Sequence, residues 1–222
     1  YVGSWHTKFI RYMMPVIPYF IIAGSVFLIS IKEKYNKLGN ILITIVVLGT
    51  NLWAVAFFNI YTLPQTRVSA SVWIYNHIPA GSHIFTEHWD DGLPIGIGAY
   101  NPTIYTSQAL TIYDTDNAAK LEYYAQTLPQ ADYIIINSRR LYGTLIHLTD
   151  MYPLTSRYYT NLFSGKLGFK EVATFTSYPS LLGITINDDA SEETFQVYDH
   201  PKVRIFRNEK HLTSEDIKKI LQ

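Results

Sequence analysis

RYMMPVIPYFIIAGSVFLIS at residues 11–30 and GNILITIVVLGTNLWAVAFFNIY at residues 39–61 are the two stretches whose reading decides the architecture. No charged side chain occurs from Tyr12 to Ile31, and none from Leu38 to Thr66. Each run is long enough, as a helix, to cross the roughly 30 Å hydrocarbon layer of a bilayer while satisfying its own backbone. Two transmembrane helices are therefore expected, at about 12–31 and 40–61. Pro15 and Pro18 fall in the first two turns, where missing N–H groups are tolerated, so the first helix is expected to begin near Tyr12. The second closes on Trp53, Phe57, Phe58 and Tyr61, an aromatic belt suited to a membrane interface, and Leu63 and Pro64 end it.

Between the runs lies IKEKYNK, residues 31–37, read as a short loop in which Lys32, Lys34 and Lys37 outnumber Glu33. Such a lysine excess keeps a short loop cytoplasmic, which turns both outer ends of the helical pair to the other side of the membrane. Residues 1–66 are accordingly assigned to the membrane part and 67–222 to an extracytoplasmic α/β domain with a mixed sheet. Two uncharged runs of this length side by side outweigh the alternative of buried helices in a soluble protein.

The remainder of the chain is polar and mixed in charge. Over the whole chain 18 basic and 18 acidic residues sum to zero, and the polar part shows no basic excess, which leaves no basic footprint for nucleic acid. With no cysteine, the chain offers no disulfide framework, thiolate metal site or cysteine nucleophile. It opens on Tyr1, and YVGSWHTKF lacks the basic, apolar and small-residue order of a signal peptide, so a C-terminal piece of something longer is expected.

After the second span, RVSASVWIYNHIPAG places Ala70, Trp73, Ile74 and His77 at helical spacing and stops at Pro79 and Gly81. HIFTE reads as a strand, with EHWDDGLP in the loop beyond it, where an α/β sheet presents chemistry. Asp114 or Asp116 is expected to cap a helix bearing Leu121, Tyr124, Ala125 and Leu128. ADYIIIN follows as a strand buried on both faces, and the intervening helix implies a parallel pair joined by a crossover. SRRLYG and MYPLTSRYYTNLFSG are expected to be partly helical, whereas GFKEVATF, LLGITI and VRIFRN are expected to add sheet edges. Thr213 and Asp216 signal a last helix with Ile217, Ile220 and Leu221 turned inward.

KFIRYMMPVIPYFIIAG, residues 8–24, resembles the K/R-x-x-R-Y-x-x-P-x-x-P stretch that opens a late helix in polyprenyl-phosphate-sugar-dependent membrane glycosyltransferases of the GT-C superfamily, including protein mannosyltransferase-like families. NHIPAGSHIFTEHWDD, ADYIIINSRRLYG, LFSGKLGFKEVATF and EETFQVYDHPKVRIF also resemble the extracytoplasmic C-terminal domain of such enzymes in bacteria and archaea. The resemblance implies a sugar moved from a polyprenyl-phosphate carrier to a glycan, lipid or protein acceptor on the outer face of a prokaryotic cytoplasmic membrane. In that superfamily the general base lies in the first outer loop, so the resemblance puts no catalytic residue in this segment.

Transfer from a lipid phosphate builds negative charge on the departing group, and a fixed cation beside it lowers the barrier. Arg11 is the first candidate, with Tyr12 and Lys8 beside it as further lipid-phosphate ligands; interfacial anchoring by Arg11 and Lys8 is the competing role. Glu87, His88, Asp90 and Asp91 form the densest ionisable group and are candidates for sugar or acceptor binding. Turn hydrogen bonds by Asp90 and Asp91 ahead of Gly92 are the plainer alternative, and their spacing matches no defined metal site, so none is assigned. Arg139 and Arg140 are secondary phosphate candidates, or a solvated helix start. Asp188, Asp189, Glu192 and Glu193 read as a solvated acidic loop. A non-enzymatic, membrane-anchored domain that binds a protein or glycan is the rival class. Motifs for a serine hydrolase, a P-loop or a dinucleotide site are missing from the sequence.

Overall fold

A computed structural model describes residues 10–222. In chain order its helices are α1 (Ile17–Lys34), α2 (Asn36–Phe58), α3 (Thr66–His77), α4 (Ala118–Thr127), α5 (Tyr142–Leu145), α6 (Pro153–Phe163), α7 (Glu193–Gln196) and α8 (Ser214–Leu221). Its strands are β1 (His83–Glu87), β2 (Thr106–Leu110), β3 (Tyr133–Ile136), β4 (Phe169–Phe175), β5 (Ser180–Leu181), β6 (Ile184–Thr185) and β7 (Val203–Asn208). They divide into two compact units: the residues up to Leu63 together with Tyr178–Tyr198, and Pro64–Ser177 together with Asp199–Gln222.

The first unit holds two helices long and apolar enough to cross a membrane. The first of them opens as a 3-10 stretch, Ile10–Val16, and becomes α-helical only at Ile17. Pro15 and Pro18 explain the late start, since each removes an N–H donor and disfavours the α conformation of the residue before it. Within the apolar runs Ser25, Ser30 and Asn51 turn back onto the carbonyls of Ile21, Val26 and Val47, so these polar side chains are satisfied inside their own helix. The expected seven-residue loop contracts to a break at Tyr35: Lys32 and Lys34 complete the last turn of α1, and Lys37 lies in the first turn of α2. Gly39 permits this tight junction, because a Cβ there would lie 2.2 Å from the Lys32 Cα.

Both outer ends of the pair meet the segment Tyr178–Tyr198. Arg11 donates to the Tyr198 hydroxyl at 3.0 Å, Asn59 donates to the Ser180 hydroxyl at 2.6 Å, and Phe57 packs on Phe195 with ring centroids 5.1 Å apart. Helices of this length can share one short segment only if the chain doubles back at Tyr35. LLGITI does not extend the main sheet, as its strand character suggested, but forms the separate β5–β6 hairpin. The acidic loop is also less solvated than its composition implies. Asp188 is buried and accepts from Gln196, Asp189 accepts from Tyr178, and Glu192 caps α7 by accepting from the Thr194 N–H.

The second unit is a three-layer α/β structure around a mixed five-stranded sheet of order β2-β1-β3-β7-β4. β1 pairs in parallel with both β2 and β3, while β7 runs antiparallel to β3 and β4. Strand alternation sorts the core. Ile84, Ile135, Val203 and Ile205 pack with Ala70 and Ile74 of α3, whereas Phe85, Ile134, Ile136 and Phe206 pack with Tyr124, Tyr158, Leu162 and Ile217 of α4, α6 and α8. β2 went unread in the sequence because TSQAL is an exposed edge with little apolar alternation. α4 is capped by Asn117, which accepts from the Lys120 N–H at 2.9 Å, and not by Asp114 or Asp116. Asp116 is instead engaged with Lys120 and Thr155. At α8 the expected Thr213–Asp216 capping box forms.

Candidate functional site

The carboxyl ends of β1 and β3 lie side by side, and the chain leaves β1 toward one neighbour and reaches β3 on the other side. Open α/β sheets place ligands beyond such a divergence. The loop after β1 is 18 residues long and has no α-helix, so it needs other anchors. α3 supplies two of them, with Ser71 Oγ accepting from the Ile95 N–H at 3.0 Å and Tyr75 donating to the Ile95 carbonyl at 2.9 Å.

A third anchor is ionic. Arg67, buried in the first turn of α3, donates to Asp90 at 3.2 Å and stands 3.8 Å from Asp91. The other oxygen of Asp90 accepts from the Ser138 hydroxyl, and Asn137 donates to the Asp91 carbonyl. Arg140 donates to the Trp89 carbonyl at 2.9 Å, while its own N–H donates to Ser138 Oγ at 3.1 Å. The ends of two strands and the start of one helix thus clamp residues 89–91.

This clamp separates the predicted residues into different roles. The Asp90 side chain is 1 % exposed and already bound by Arg67 and Ser138, which makes it a positioning group. The Asp91 side chain is 81 % exposed. Trp89 is held at φ +78° with its indole 65 % exposed, and the exposed His88 ring lies edge-on to it at 5.0 Å. A bulky residue at positive φ is strained, and such strain persists only where surrounding contacts enforce it. Together Trp89, His88 and Asp91 present an aromatic face, an imidazole and a carboxylate on a braced loop. Arg140 serves the brace, and Arg139 is half-buried beside it.

Glu87 belongs to a different environment. It points to the opposite face of the sheet, is 1 % exposed and accepts from Tyr159 at 2.5 Å. Burial pushes its carboxyl up to about 8; the Tyr159 hydrogen bond opposes that shift and the nearby Asp90 charge adds to it. Tyr124, Tyr158 and Tyr159 surround it, and burial raises all three phenols well above their usual range. Glu87, His88, Asp90 and Asp91 therefore do not form one surface, because Glu87, the last residue of β1, is turned into the tyrosine core while His88, Asp90 and Asp91 lie in the loop beyond the strand.

In the helical unit, Arg11 is exposed, donates to Tyr198 and lies 5.5 Å from the Tyr12 ring centroid. Lys8 falls outside the described residues. No grouping of three or more His, Asp or Glu suited to a metal occurs among the described residues.

Arg67, Trp89, Asn137, Ser138 and Tyr198 were not singled out from the sequence. Arg67 was visible only as the first charge after a long uncharged run. Tyr198 gave no usable signal, since it lies 187 residues from Arg11. Comparison of the chain with protein-family models, curated proteins and solved structures gave no match.

Proposed function

We propose that this chain is the C-terminal part of an integral membrane glycosyltransferase that moves a sugar from a polyprenyl-phosphate carrier to an acceptor on the outer face of a prokaryotic cytoplasmic membrane. The observation that carries this reading is the Arg11 guanidinium, held by Tyr198 at the start of an apolar helix. A guanidinium presents a planar fork to phosphate oxygens and stays charged in a partly dry site. A cation fixed beforehand stabilises a departing lipid phosphate without reorganising during transfer. The lysines gathered about Tyr35 support the orientation, since they belong on the cytoplasmic side and Arg11 lies at the other end. The α/β domain then contributes acceptor or sugar contacts through Trp89, His88 and Asp91. The general base is expected from the first outer loop of the longer enzyme.

The test places Arg11→Ala in the full-length enzyme and measures sugar transfer from the lipid-linked donor. A loss of about 100-fold or more in turnover is expected, with partial recovery in Arg11→Lys. Unaltered transfer in Arg11→Ala would remove this residue from the mechanism. The braced, exposed Trp89 also favours a second reading, a membrane-anchored domain that binds glycan without catalysis. Glycan binding lost in Trp89→Ala, in a protein with no transfer activity, selects that reading.

A further inference from the structure

The β5–β6 hairpin has a surface that the proposed function leaves unused. Leu182, at its tip, is 93 % exposed, and Ile184 is 70 % exposed. Leu182 and Gly183 take up the turn at φ +52° and +82°. Glycine adopts this conformation freely, but for leucine it carries a steric cost. No charged side chain occurs from Val172 to Asn187, so the tip carries no charge and its exposed side chains at Leu182 and Ile184 are apolar. The base of the hairpin is polar and closed. Tyr178 donates to Asp189 at 3.0 Å, and the Ile186 N–H donates to the Pro179 carbonyl at 2.8 Å.

The hairpin is fixed to the helical pair. Ser180 receives the Asn59 hydrogen bond, and β5 packs on α2 and on the 3-10 turn Asn59–Thr62. The last turns of α2, the helix on which β5 packs, expose Trp53, Val55 and Phe58, so the apolar tip belongs to a unit whose outward side chains are apolar. Its backbone limits how deep it goes. The two strands share only two paired positions, which leaves outward N–H and C=O groups that hydrocarbon would not satisfy. Three residues of extended chain from Pro179 to Leu182 reach about 10 Å, comparable to the depth of an interfacial element.

We infer that the β5–β6 hairpin is a membrane-interface anchor that inserts Leu182 and Ile184 among phospholipid headgroups and upper acyl chains beside the end of α2. The inference rests on the membrane placement of α1 and α2 and not on sugar transfer. Its occupant is lipid, because the tip extends the lipid-facing surface of the same unit and bears no group that would select a protein or glycan.

The natural chain has no cysteine, so a single introduced thiol reports one position. Leu182→Cys, Ile45→Cys in α2 and Lys170→Cys in β4 are each labelled with an environment-sensitive fluorophore in the full chain reconstituted into phosphatidylcholine–phosphatidylglycerol vesicles. The expected result is quenching of the Leu182 and Ile45 labels by nitroxide-bearing lipid at least twofold stronger than that of the Lys170 label. A Leu182 label quenched by aqueous iodide as readily as the Lys170 label overturns the anchor. A Leu182 label shielded from both quenchers also overturns it, showing that protein covers the tip. If Ile45 reads lipid while Leu182 does not, only the hairpin inference fails. If Ile45 does not read lipid, the membrane placement itself fails, and sugar-transfer assays on Arg11→Ala remain a separate measurement.

Discussion

Ile45 and Ile134 carry the same side chain in opposite surroundings. Ile45, in α2, is 61 % exposed, and Ile134, in β3, is 0 % exposed. The contrast extends to polar groups. In the helical pair, polar side chains turn back onto their own helix and the apolar ones face outward. In the α/β unit the apolar side chains are enclosed, and several polar ones are enclosed with them. Lys120 donates to the Ile112 and Asp114 carbonyls, to Asp116 and to Thr155, all at 2.6–2.7 Å. Burial alone would raise the Asp116 carboxyl, but its bonds from Lys120 and Thr155 hold it below the usual range; burial also lowers the Lys120 ammonium, partly offset by Asp116. Among the described residues Glu87, by contrast, has the Tyr159 hydrogen bond and no cation beside it, and burial pushes its carboxyl up to about 8, which favours the neutral acid. One unit thus turns its apolar side chains outward, and the other encloses them.

The sharpest way to break this contrast is a polar substitution at each isoleucine. Ile134→Asp is expected to destabilise the α/β unit by more than about 4 kcal/mol, while Ile45→Ser leaves that unit's unfolding transition in place. Denaturation in detergent, followed by the near-ultraviolet signal of the buried tyrosines, measures both. Equal effects would mean that α2 is packed inside the fold.

Lys120→Ala should come next, at about 3–5 kcal/mol, because it leaves Asp116 buried and uncompensated. The Lys120→Met and Asp116→Leu pair is expected to recover most of that loss, which a double-mutant cycle reads directly. Additive losses would show that the two groups are independent.

Glu87 sharpens the contrast through pH. Its folded value of about 8 lies above the reference value of 4.5, so between these the folded state binds a proton that the unfolded state has released. Stability therefore falls as pH rises across that window, by roughly 3–5 kcal/mol, and is constant in this respect outside it. Glu87→Gln keeps an acceptor for Tyr159 and removes the titration. Its unfolding free energy should exceed the parent's at pH 8 and match it near pH 4. A parallel pH dependence in the two proteins would place the titrating group elsewhere.

The long apolar runs, the parallel β1–β3 pair and the α8 capping box were legible in the sequence because each is written in neighbouring residues. Periodicity, absence of charge and cap spacing act over a few turns, within reach of a local reading. The separate β5–β6 hairpin was not legible, since LLGITI has the same strand character whether it joins a large sheet or stands apart. β2 was missed for the opposite reason, as its pairing with β1 and not its own pattern makes it a strand. The candidate site was legible in part. Its loop was located by following a strand to its end, but the division of labour within EHWDD was not.

Sequence alone determined that two segments shun water and that a mixed α/β unit follows them, because side-chain solvation and local hydrogen bonding are properties of the residues themselves. Tertiary structure decided that Arg67 and Ser138 claim Asp90 while Asp91 stays open, that Glu87 faces tyrosines and not solvent, and that Tyr198 meets Arg11. These outcomes depend on which distant groups the fold brings within hydrogen-bond reach, and a carboxylate carries no mark of its partner until the chain has closed around it.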